Sequence, residues 1–118
     1  MAGRAVVMLT IALGAAALAV SQLNVARGLL NAQSHLHVWY HLGFFAALGL
    51  LAIFSSSRPS VRIGLLLFAV LIGVAIEYGE VLRYHTDMEW YDVRTDATGI
   101  AIGAIFAWLA LHIPDRRY

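Results

Sequence analysis

Four long apolar runs separated by short polar connections occupy most of the chain, at about residues 5–23, 38–54, 63–82 and 97–113. Each is close to the roughly 20 residues a helix needs to cross a hydrocarbon core about 30 Å thick. Period-2 alternation is absent, and in lipid only helices or closed barrels satisfy every backbone N–H and C=O group. The reading is therefore an all-α, integral membrane four-helix bundle. Four spans leave no room in 118 residues for a second domain. Composition agrees: 61% of residues are apolar and 13% charged, with a mean hydropathy of +0.77, whereas soluble domains are about 45–50% apolar and 25% charged.

The polar residues between the runs give the direction of threading. Serines 55, 56 and 57 with Arg58 and Pro59 stop the second run, and such clusters mark loops. With four spans, the amino end, the middle loop and the carboxyl end share one side, which carries Arg4, Arg58, Arg62, Arg116 and Arg117; the other side carries Arg27, Arg83 and Arg94. That excess places both termini in the cytoplasm by the positive-inside rule. An alternative for the first run is a secretory signal, with Arg4 ahead of the apolar stretch and Ala17, Leu18 and Ala19 as a small-residue cleavage site, although the stretch is longer than the usual signal core of about 7–15 residues.

All eight basic residues are arginine, the formal net charge is +1 and cysteine is absent. No lysine-rich tail exists for nucleic acid or for a polybasic anchor. Disulfides, thiolate metal sites and cysteine nucleophiles are excluded together. No cofactor is expected. The partners expected are membrane lipids, a lipid-linked or amphiphilic small molecule, and a second membrane protein.

The acidic residues are the informative departure. Six of seven lie between Glu77 and Asp96: Glu77, Glu80, Asp87, Glu89, Asp92 and Asp96. On a helix entered at Ile63, Glu77 lies fourteen residues along, roughly 21 Å into the core at about 1.5 Å per residue. Residues three or four apart share a helical face, so Glu77, Glu80 and Arg83 or Tyr84 form one polar column. A carboxylate near the bilayer centre costs about 2.5–3.5 kcal/mol on insertion scales, so the column is expected to face the bundle or a water-filled recess. Asp92 and Asp96 are four apart, and Gly99 and Gly103 continue their stripe if the fourth helix starts early. GxxxG lets a second helix approach closely. Asp96 and Thr95 also stand where a helix N-cap would.

The other polar cluster opens the second run, where His35, His37 and His41 accompany Trp39 and Tyr40. His37 and His41 share a helical face. In an up-and-down bundle this segment begins on the side where the third span ends and the fourth begins, so histidines and carboxylates are brought to one end. Such a set has the donors of a divalent metal site; equally, His, Trp and Tyr make up the ordinary interfacial belt.

The segment EYGEVLRYHTDMEWYDVRTDATGIAIG resembles the VanZ-like family of small four-helix membrane proteins, named for a teicoplanin-resistance determinant. That family's pattern has a glutamate, a glutamine three residues on, a loop arginine, an aspartate, an asparagine four further and a glycine three after that. Glu77, Glu80, Asp92, Asp96, Gly99 and Gly103 stand at those intervals, with the glutamine replaced by Glu80 and the asparagine by Asp96. The loop arginine falls at Thr86, beside His85, and the family's acid and lysine ahead of a histidine and an aromatic fall at His37 and Val38, before His41 and Phe44 or Phe45. Two amides exchanged for acids and one arginine lost leave the pocket as much as three charges more negative than the pattern. Arg83, Arg94, protonated histidine, shared protons, a metal or a cationic ligand group are the candidate compensations.

The resemblance implies an envelope protein whose outward acidic pocket, formed by Glu77, Glu80, Arg83, Asp92, Asp96, His41 and His37, binds a polar lipid headgroup, a cell-wall precursor lipid or an amphiphilic antibiotic, and contributes to glycopeptide resistance. A second reading is a metal-dependent enzyme acting on lipid phosphates, since Asp92 and Asp96 with Glu77, Glu80 and a histidine supply hard-cation ligands; no second aspartate motif or phosphate-cradling glycine loop accompanies them. A third is a small structural subunit of a larger complex with His41 or His112 as pigment or haem ligands.

Overall fold

A computed structural model describes residues 2–21, 34–85, 87–88 and 90–113, with the side chains of Ala2, Ser21, Ser34 to His37, Arg83 and Tyr84 outside the description. These residues form four helices, α1 (Ala2–Ser21), α2 (Ser34–Phe54), α3 (Pro59–Tyr84) and α4 (Trp90–His112), with no strand among them. Three are long and apolar enough to cross a membrane, at Gly3–Val20, Pro59–Leu82 and Trp90–His112. The apolar part of α2 is the shorter stretch Val38–Phe54.

The starts and stops have local causes. Pro59 sits in the first turn of α3, where its missing N–H removes nothing from the helical ladder. At the other end His85 takes the left-handed conformation (φ 55°, ψ 35°) and its N–H closes on Val81 O at 3.1 Å, a role usually given to glycine. Helix α4 begins at Trp90, seven residues ahead of the apolar run at 97. The polar residues continue the helix instead of forming a loop: the hydroxyls of Thr95 and Thr98 donate back to Tyr91 O (3.0 Å) and Arg94 O (2.8 Å), while Asp92 and Asp96 turn inward. Asp92 lies in the first turn, where the helix dipole favours a negative charge. Asp96 lies inside the helix, so the N-cap role is corrected.

The packing is up and down. Gly99 lies against Leu42 O and Gly103 against Ala46 O, so α2 and α4 run parallel and α3, joined to each by a short connection, runs against both. Gly3 lies against Ser55 O and Gly14 against Phe68 and Ile72, which aligns α1 with α3. Helix α1 packs on α2 and α3 and makes no contact with α4 among the described residues.

The core is a small apolar cluster of Phe45, Leu48, Ala69, Ile72, Ile76 and Ile100. Outside it the molecule reverses the usual order. Leu67, Leu71, Ile105 and Phe106 are exposed, whereas Thr10, Ser55, Glu77, Asp92 and Asp96 are buried. An apolar exterior around buried polar groups is the arrangement lipid selects, because polar groups must find partners inside the protein.

Candidate functional site

The buried acids gather at the end of the bundle where α2 starts, α3 ends and α4 starts. Glu77 is 1% exposed, Asp92 4% and Asp96 1%, and Glu77 Oε1 and Asp96 Oδ2 are shielded from solvent. Glu80, one turn nearer the end of α3, is half-buried. None of Glu77, Glu80, Asp92, Asp96 and His41 is without an interaction partner.

The pair at the centre joins α2 to α4. His41 Nδ1–H donates to Asp96 Oδ1 at 2.6 Å, the distance of a charge-assisted bond. One turn further into α2, Phe45 lies nearly parallel to the His41 ring (centroids 6.3 Å apart, planes 17° apart), and Phe44 meets Phe45 edge-on. The imidazole therefore rests on the apolar core on one side and on a buried carboxylate on the other. Its bond to Asp96 engages Nδ1 and fixes the orientation of the ring between the two helices.

Helix α3 closes the site through a missing side chain. A Cβ at Gly73 would lie 2.9 Å from Asp96 Oδ2 and 3.3 Å from Asp96 Cβ, so any larger residue there would press on the aspartate side chain. Because α3 and α4 are antiparallel, one turn along α3 from Gly73 and one turn back along α4 from Asp96 bring Glu77 and Asp92 to the same level. Sequence reasoning passed over Gly73, although its position four residues before Glu77 places it on the acidic face. It also passed over Gly49, whose added Cβ would run into Ile100 O.

The other expected members are distributed as follows. The side chains of His37 and Arg83 lie outside the described residues. Arg94 is exposed, and the side chain that meets Asp96 Oδ1 is His41. Among the described residues no three His, Asp or Glu side chains converge as a metal ion requires. His112 is exposed at the opposite end of α4, stacked on Trp108 and hydrogen-bonded to Trp108 O at 2.7 Å. Sixteen residues of helix, about 24 Å, separate it from Asp96, so His41 and His112 do not share a ligand.

A shallow apolar groove of about 240 Å³ lies between α3 and α4, lined by Ile63, Leu66, Leu67, Val70, Ala97, Ile100, Ala101 and Ala104. Its Val70 and Ala97 end adjoins the Gly73–Asp96 contact, less than one helical turn away. No protein-family model, no curated protein and no solved structure matches the chain.

Proposed function

We propose that the protein is a multi-pass membrane protein of the VanZ-like kind, in which all four helices span the cell membrane, both termini are cytoplasmic, and the acidic end of α2, α3 and α4 opens outward. On this reading the recess takes the polar head of an amphiphile, either a lipid headgroup or an amphiphilic antibiotic, and the protein contributes to glycopeptide resistance in the cell envelope. The observation that carries the proposal is the burial of Glu77, Asp92 and Asp96, with Asp96 bonded to His41, inside a bundle whose exterior is apolar. Burying three acids in a bundle that faces hydrocarbon is costly, and ionisable residues kept at such positions mark functional sites. The groove between α3 and α4 supports an amphiphilic ligand, because an acyl chain lying there ends beside Asp96. The arginine excess supports the orientation: Arg4, Arg58 and Arg62 lie at one end against Arg83 and Arg94 at the other.

Deleting the gene in its host is expected to lower the inhibitory concentration of a lipid-tailed glycopeptide, and Asp92→Asn or Glu80→Gln protein that accumulates normally is expected not to restore it. Unchanged susceptibility together with an unchanged envelope lipid profile contradicts the proposal.

A further inference from the structure

The end of the bundle opposite the acids carries its own charge problem. Gly3 packs so closely that an added Cβ would lie 2.6 Å from Ser55 O, which brings the first turn of α1, with Arg4, onto the corner between α2 and α3. The corner contains Arg58 and Arg62. Arg62 Nε–H donates to Ile53 O at 3.1 Å and to Ser56 O at 2.7 Å. The guanidinium is thus pinned through one N–H, covering the carbonyl end of α2, while its two Nη groups have no hydrogen-bond or carboxylate partner among the described residues. Ser56 Oγ accepts from Arg58 N at 3.0 Å, which orders the turn. Arg4 and Arg58 are exposed.

No described acid lies at this end; Glu77, Glu80, Asp87, Asp92 and Asp96 are all at the other. Three arginines, one of them pre-oriented, therefore lack a counter-ion within the described structure. Exposed Phe54 (42%) and Ile63 (57%) flank the exposed polar turn of Ser57, Arg58 and Ser60, so on the membrane-spanning reading proposed above the corner falls where hydrocarbon gives way to headgroups. The planar fork of arginine matches phosphate oxygens in pairs.

We propose that Arg4, Arg58 and Arg62 form a binding site for the phosphodiester headgroup of an anionic phospholipid. The site is distinct from the acidic recess and rests on the membrane-spanning part of the reading proposed above, not on the ligand proposed for the recess. Arg62 supplies a fixed two-point donor, while Arg58 and Arg4 close around the phosphate from the loop and from α1. A zwitterionic headgroup is disfavoured because its ammonium meets three cations.

The test uses the full chain purified in mild detergent, offered equal amounts of phosphatidylglycerol and phosphatidylcholine of the same chain length, with retained lipid counted by native mass spectrometry. Preferential retention of phosphatidylglycerol is expected. Arg4→Gln and Arg58→Gln, which leave the carbonyl contacts of Arg62 intact, are each expected to lower its apparent affinity about five-fold, the effect of one arginine at an anionic surface. Arg62→Lys keeps the charge and is expected to lower it as well, through loss of the fork. Equal retention of the two lipids, or wild-type retention by both glutamine variants, overturns the proposal. Displacement of phosphatidylglycerol by inorganic phosphate at the same concentration as the lipid shows a free-anion site and also overturns it.

Discussion

Gly103→Ala is expected to destabilise the protein by about 3 kcal/mol or more, because the new methyl has nowhere to go. Its Cβ would run into Ala46 O and lie 3.0 Å from Ala46 Cα. The obstacle is helix backbone and not the end of a flexible side chain, so α2 and α4 must separate along their length. Overpacking usually costs about 1–3 kcal/mol, and a backbone clash belongs at the top of that range. Gly49→Ala, whose methyl would run into Ile100 O, and Gly99→Ala, whose methyl would lie 2.6 Å from Leu42 O, are expected to follow in that order. Gly43 and Gly64 provide the control, since nothing lies within 4 Å of an added Cβ. Alanine there is expected to be neutral or stabilising by up to about 1 kcal/mol, the gain from replacing glycine inside a helix. Reversible unfolding in bicelles checks the series; equal effects at Gly43 and Gly103 contradict the close parallel packing of α2 and α4.

Asp96→Ala is expected to cost about 3 kcal/mol, the scale for removing one member of a buried hydrogen-bonded pair. His41→Ala is expected to cost a comparable amount. Asp96→Asn is expected to cost less, since an amide oxygen still accepts from His41 Nδ1. If the two residues act through each other, the double variant costs less than the sum of the singles, with a coupling of about 0.5–3 kcal/mol. Additive losses in the same unfolding assay contradict the pair. Gly73→Ala is expected to weaken the same pair from the third helix, because its methyl would press on Asp96 Oδ2 at 2.9 Å.

The helices were legible because lipid permits so few backbone solutions. Apolar runs at 5–23, 38–54 and 63–82 correspond to α1, α2 and α3 with small shifts at their ends. The start of α4 was legible only as a condition, since one stripe of Asp92, Asp96, Gly99 and Gly103 requires the fourth helix to start early, as it does at Trp90. Asp92, Arg94, Thr95 and Asp96 resemble a loop when counted by polarity, and they become helix only once the two aspartates have an interior to face and the threonines return their hydroxyls to the backbone. That His41 and the acids share one end followed from topology alone, whereas the individual bond from His41 to Asp96 required the rotation of each helix about its axis, which spacing does not give. Gly73 and the Arg62 corner escaped for a related reason. A glycine in an apolar run and an arginine in a loop are ordinary until a neighbouring helix is placed against them. The VanZ-like resemblance rests on the spacing of Glu77, Glu80, Asp92, Asp96, Gly99 and Gly103, and the function drawn from it is a proposal.

The central claim is that polar groups from separate helices meet inside a lipid-facing bundle, and solid-state NMR of the full chain in bilayers tests it most directly at His41. The account predicts a protonated, exchange-protected Nδ1 with a short-range correlation to the Asp96 carboxyl carbon, and loss of that correlation in Gly103→Val. A His41 ring that exchanges freely with water and shows no correlation to Asp96 contradicts it.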